Sequence, residues 1–95
     1  MKKIQYFMQE GCRSCLYGEW LLRKCQGWQD VIELVDCNDR KTGQWSQYAI
    51  DNRIDKTPTL LAFDDDGNEV ARLEGGQHFT TEFWKNTIQK HSNAV

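Results

Sequence analysis

The pair Cys12-Arg13-Ser14-Cys15, set between an apolar run and a helix-like stretch, constrains this 95-residue chain more than any other feature. Two cysteines with two residues between them at the mouth of a helix can close a small disulfide ring. The helix N-terminus favours a thiolate there, because its backbone N–H groups lack partners within the helix and its dipole presents a positive end. Zinc sites and structural disulfides use the same spacing, so the pair alone leaves three readings open. A second feature narrows them: Lys56-Thr57-Pro58-Thr59-Leu60-Leu61-Ala62-Phe63 carries the chain's only proline at the head of an apolar run.

Several function classes drop out on composition. A formal net charge of −2 gives no electrostatic footprint for nucleic acid or an anionic membrane. No apolar run approaches the roughly 20 residues of a membrane span. The start, Met1 to Glu10, holds two lysines but an apolar stretch too short and broken for a signal peptide. The expectation is one soluble domain over 1–95, cytoplasmic and monomeric, with one modest core. Four thiols, Cys12, Cys15, Cys25 and Cys37, stay mostly reduced in such a compartment unless one pair is redox-active.

Periodicity sets the order of elements. Residues 3–8, with Ile4, Tyr6, Phe7 and Met8, read as a buried strand, and 13–26 as an amphipathic helix with Leu16, Trp20, Leu21 and Cys25 on its apolar stripe. A second strand covers 31–35, and a weaker helix over 42–52 carries Trp45, Tyr48 and Ala49. Strands over 59–63 and 69–73 flank the turn Asp64-Asp65-Asp66-Gly67-Asn68, and a last helix spans 80–91 with Phe83, Trp84, Thr87 and Ile88. The order β-α-β-α-β-β-α predicts an α/β fold, a four-stranded mixed sheet with helices on both faces. Both β-α-β steps are expected to join parallel neighbours, with the hairpin adding an antiparallel edge.

That order, with C-x-x-C opening the first helix and Thr57-Pro58 opening the third strand, resembles the thioredoxin/glutaredoxin superfamily over nearly the whole chain. The size is similar to glutaredoxin, since the extra N-terminal β-α unit of thioredoxins is missing. The run from Ile54 to Gly75 looks like thioredoxin, a mixture found in small phage and archaeal redoxins. The resemblance implies a thioredoxin-like fold and a protein-disulfide oxidoreductase. Cys12 would attack the substrate disulfide and Cys15 would resolve the mixed disulfide. It implies a cis peptide bond at Pro58, with the Thr57 backbone open to an incoming strand. Read alone, Pro58 is more readily a trans proline starting an edge strand, and the presence of Cys12–Cys15 turns the balance to the cis reading. The resemblance also implies no bound cofactor, electrons from an NADPH-dependent thioredoxin reductase or from glutathione, and disulfide-containing clients such as ribonucleotide reductase.

The departures from that family sharpen the expectations. Gly11 stands where thioredoxins carry Trp, and Arg13-Ser14 where they carry Gly-Pro and glutaredoxins Pro-Tyr. Arg13 places a cation and Ser14 a hydroxyl beside Cys12, both favouring its thiolate. Six residues before Cys12, where thioredoxins bury an Asp that deprotonates the resolving thiol, this chain has Tyr6. It must do without that acceptor or use Glu10, Asp36 or water, so resolution is expected to be slow. Gly75-Gly76 resembles the glutathione-approaching pair of glutaredoxins, yet Gln77-His78 follow where those have an acid; a flexible turn explains the pair equally. Cys37, after the second strand, is a third redox thiol or a packed small hydrophobe, and Cys25 belongs to the core. Zinc on all four cysteines, or a fold kept only for docking a peptide, are the competing functions. The Asp64–Asp66 run is a solvated turn rather than a calcium loop.

Overall fold

The computed structural model describes residues 3–91. In β1 (Lys3–Met8), Ile4 and Tyr6 alternate with Gln5 and Phe7, so both faces of the strand are covered and it becomes the sheet's centre. Then follow α1 (Arg13–Arg23), a 3-10 turn at Trp28–Asp30, β2 (Ile32–Asp36), α2 (Gln47–Asp51), β3 (Thr59–Phe63), β4 (Glu69–Glu74), a 3-10 turn at Gly76–His78, and α3 (Thr81–His91). The four strands lie in the order β2-β1-β3-β4. The expected four-stranded mixed sheet is therefore present, but only its first β-α-β step joins parallel neighbours: β2 runs parallel to β1, whereas β3 is antiparallel to it.

The length of α2 explains that difference. Met8 pairs with Asp36 and Phe7 with Thr59, so β2 ends and β3 begins at the same end of the sheet. A five-residue helix advances about 7.5 Å, less than half the roughly 16 Å of a five-residue strand, and cannot carry the chain to the far end. The expected helix over 42–52 forms only at Gln47–Asp51, where the Ser46 hydroxyl caps the Ala49 N–H at 3.1 Å. Ahead of it, the Asp39 carboxylate accepts the Lys41 N–H at 2.8 Å and that of Thr42 at 3.3 Å, holding a loop that Asn38 and Trp45 close as a bridge.

Helices cover both sheet faces. On one, Ile4, Tyr6, Leu60 and Ile32 pack against Leu21, Leu22 and Cys25 of α1 and its extension and against Trp84 and Ile88 of α3. On the other, Phe7, Leu61 and Phe63 pack against Cys37, Ala49 and Ile54. The stripe expected on α1 is only partly the buried one. Cys15, Gly18, Leu21, Leu22 and Cys25 face inward, while Leu16 and Trp20 are 61% and 53% exposed. Gly18 lets the backbone come up against Tyr6, and that close approach turns Leu16 and Trp20 outward. The Asp64 carboxylate accepts the N–H groups of Asn68, the larger influence, and of Asp66, both at 2.9 Å, which holds it below the usual carboxylate range and makes the run a closed turn. Arg72 of β4 donates to the carbonyl of Asn52 at 2.7 Å and pairs with Glu69 at 2.9 Å, tying the edge strand to the end of α2. Among the described residues no helix is long and apolar enough to cross a membrane.

Candidate active site

The chain leaves β1 through Gly11, which at φ 77° takes the left-handed turn that aims the next residue back over the sheet end. Cys12 caps α1: its extended backbone lies outside the helix and its Sγ accepts the Cys15 N–H at 3.1 Å. The two residues form a disulfide with Cα atoms 5.2 Å apart, Cys12 half-buried and Cys15 fully so. Ser14 Oγ lies 3.6 Å from Cys12 Sγ, and Arg13 and Ser14 are exposed. On reduction the Cys15 N–H and the positive end of α1 face the Cys12 sulfur, the setting that favours a thiolate.

The other expected site residues converge here. The Thr57–Pro58 peptide is cis, and Pro58 is buried. The Pro58 carbonyl accepts the Gly75 N–H at 2.9 Å, which sets the glycine pair beside the proline loop. A side chain at Gly76 would sit 2.8 Å from Ser14 Cβ and reach Pro58 Cδ at 3.9 Å, so only glycine fits that approach. The Thr57 hydroxyl donates to Gln9 Oε1 at 2.8 Å, fastening the proline loop to the segment before Cys12; Gln9 carried no signal in the sequence.

Beneath the disulfide sits Tyr6, fully buried, its hydroxyl donating to the Cys15 carbonyl at 3.0 Å. Burial, reinforced by the Glu19 carboxylate, pushes its phenol far above the ordinary range, so it is a neutral donor and no proton acceptor. Asp36 spends a carboxylate oxygen on the Asn38 N–H at 2.9 Å and is exposed, as is Glu10, while Cys15 is fully buried. Trp84 Nε1 donates to the Gly18 carbonyl at 2.9 Å, one turn further along α1. Gly18 was legible as an isolated glycine within a helical pattern, which usually marks a packing requirement.

That packing makes a sharp test. A Cβ at Gly18 would overlap the Tyr6 hydroxyl. Gly18→Ala is therefore expected to cost about 1–3 kcal/mol, although alanine is the better helix former by about 1 kcal/mol. In a Tyr6→Phe background, itself about 1 kcal/mol down for the lost hydrogen bond, the same change meets only the ring Cζ at 3.2 Å and Phe79 Cβ at 3.4 Å and should cost clearly less. Urea denaturation of the four proteins measures the coupling, and additive costs would show that the contact is unimportant.

The remaining cysteines separate from the site. Cys25 lies in the core between α1 and the sheet and Cys37 in the core on the opposite face, so the four cysteines cannot share one metal. Among the described residues no three His, Cys, Asp or Glu side chains converge on a metal position. Burial, helped by Asp36, pushes the Cys37 thiol from near 9 up to about 11, which leaves it protonated and unreactive. Native Cys37 is expected to resist alkylation at pH 8 and to react once the chain unfolds. Because the unfolded thiol loses its proton first, stability should fall as pH rises from about 9 to 11. Cys37→Ala should reduce that slope in pH-resolved denaturation; an unchanged slope would remove Cys37 as its source.

No family model matches the sequence, and no curated protein matches it. Solved structures do. Thioredoxin f2 of Chlamydomonas reinhardtii superposes with a TM-score of 0.66 at 20% identity, covering 99% of this chain and 82% of its own. Schistosoma mansoni thioredoxin gives 0.65 at 17% identity, over 94% of this chain and 77% of that one. Thioredoxin 1 of Thermosipho africanus gives 0.62 at 22% identity, over 94% and 92%. The chain therefore has the thioredoxin fold, with a C-x-x-C disulfide at the head of α1.

Proposed function

We propose that this thioredoxin-fold chain is a thiol–disulfide oxidoreductase that reduces protein disulfides through the Cys12–Cys15 couple. The observation that supports it most is the disulfide at the open N-terminus of α1, with the Pro58 loop and Gly75-Gly76 beside it. The Cys12 thiolate attacks one sulfur of a client disulfide; that S–S bond breaks, a mixed disulfide forms, and the client's other sulfur leaves as a thiolate. The Cys15 thiolate then attacks Cys12 Sγ and expels the client's second thiolate. The client takes up two protons and two electrons, and this chain is left as the Cys12–Cys15 disulfide.

Two electrons must return from outside, from an NADPH-dependent thioredoxin reductase or from two molecules of glutathione oxidised to their disulfide. The backbone of Thr57 would pair with the client strand, and Gly75 and Gly76 would let it approach. Since Tyr6 stays neutral, water takes the Cys15 proton, and resolution should be slower than in proteins with a buried acid; stopped-flow rates equal to an ordinary thioredoxin would refute this. Clients such as ribonucleotide reductase, a monomeric state and a cytoplasmic setting complete the reading. The buried free thiols of Cys25 and Cys37 suit such a reducing compartment.

A titration of the whole chain in glutathione buffers, with alkylation mapped by mass, tests the proposal. A reversible two-electron couple confined to Cys12 and Cys15 is expected. A potential near −270 mV would favour a thioredoxin-type reductant, and one of about −200 to −230 mV glutathione. The absence of any couple would end the oxidoreductase reading and leave a peptide-docking module.

A further inference from the structure

The outer face of α1 carries a feature that the redox chemistry leaves unused. Leu16 and Tyr17 are each 61% exposed and Trp20 is 53% exposed. At helical spacing, Arg13, Leu16, Tyr17, Trp20 and Lys24 fall within one stripe roughly 100° wide, opposite the buried line of Cys15, Gly18 and Leu22. The aromatic part is pre-arranged: Tyr17 and Trp20 stack at 6.0 Å, and Lys24 Nζ lies 3.6 Å over the Trp20 ring. Large apolar side chains held in the open, with Trp, Tyr and Arg among them, are the composition of binding hot spots.

Charge says what fits there. Arg13 and Lys24 bracket the stripe and Arg23 lies beside it; the helix's single acid, Glu19, is taken up by Arg23 at 2.6 Å. This face is thus cationic in a chain whose net charge is −2. A second copy would set like charges against each other, whereas an acidic segment would pair with them. The stripe also begins inside the redox motif. From Cys12 to Trp20 is about 12 Å of helix, the reach of roughly four residues of extended peptide.

We propose that the Arg13–Leu16–Tyr17–Trp20–Lys24 face of α1 is a docking surface for clients whose reacting cysteine is flanked, about four residues away, by aliphatic or aromatic residues and acids. This rests on the oxidoreductase reading and adds client selection to it.

The test uses the reduced full-length chain in single turnover against two synthetic peptide disulfides of equal length. One carries Leu, Phe, Asp and Glu beside the cysteine; in the other the acids are replaced by Lys. The acidic peptide is expected to react about tenfold faster, an advantage that shrinks at high salt. Leu16→Ser with Trp20→Ser should slow both peptides severalfold, and Lys24→Glu should weaken or invert the acidic peptide's advantage. Because these side chains are exposed, all variants should still reduce 2-hydroxyethyl disulfide at the wild-type rate. Equal rates for the two peptides, variants that slow the small disulfide equally, or co-sedimentation with phosphatidylserine vesicles in place of a peptide preference would each overturn the docking surface. Failure of the wild-type chain to reduce even the small disulfide would overturn the oxidoreductase reading, and the client selection with it.

Discussion

Cys12→Ser is expected to reduce disulfide-reduction activity to background, a loss of about a thousandfold or more, without unfolding the chain. The hydroxyl of serine stays protonated where a thiolate forms, so no nucleophile remains at the open end of α1. The fold survives because serine is itself a preferred N-cap and can accept the Cys15 N–H that Cys12 Sγ now accepts at 3.1 Å. Cys15→Ser should behave differently. Cys12 is the half-exposed sulfur, so attack on the client goes forward, but the buried position holds no thiolate to finish the exchange. The mixed disulfide then accumulates and is visible by mass as a covalent adduct on Cys12. The assay is reduction of insulin disulfides together with adduct mapping. Full activity in Cys12→Ser, or adducts on Cys15 in the wild type, would reverse the two roles.

Legibility of this site in the sequence followed how local its causes are. The C-x-x-C pair, its position before a helix and the Thr57-Pro58 strand start are short-range features, and their convergence with Gly75 and Gly76 follows from strand order. Strand positions were readable for the same reason: alternation in β1 and the Asp64–Asn68 turn are written in consecutive residues. The orientation of β3 was not, because it depends on how far a loop and a five-residue helix can carry the chain. The rotation of α1 was missed because hydropathy alone puts Leu16 and Trp20 inside. What decides the matter is the contact of Gly18 with Tyr6 and Trp84, which lie 12 residues before it and 66 after. The same non-local contact shows what holds Tyr6: its ring is part of the core, and its hydroxyl meets the backbone of α1 at Cys15.

Trp84→Ala should be the most damaging substitution to the fold. The indole is fully buried, edge-on to Tyr6 at 5.3 Å, stacked on Phe79 at 5.3 Å and 5.2 Å from Phe83. Truncating a buried aromatic costs about 3–5 kcal/mol, and losing the hydrogen bond to the Gly18 carbonyl adds about 1 kcal/mol. A domain of this size has about 5–15 kcal/mol in total, so the variant should be largely unfolded or lack fixed aromatic packing. Trp84→Phe separates the two contributions: it keeps most of the ring contacts, loses the hydrogen bond, and should cost about 1–3 kcal/mol. Denaturant midpoints and near-ultraviolet dichroism read the result, and an alanine variant within about 1 kcal/mol of wild type would refute the packing argument. The consequence reaches the chemistry, because two side chains hold the first turns of α1, one from β1 and one from α3. Tyr6 fixes the Cys15 carbonyl and Trp84 the Gly18 carbonyl, so the phenylalanine variant should fold yet resolve mixed disulfides more slowly.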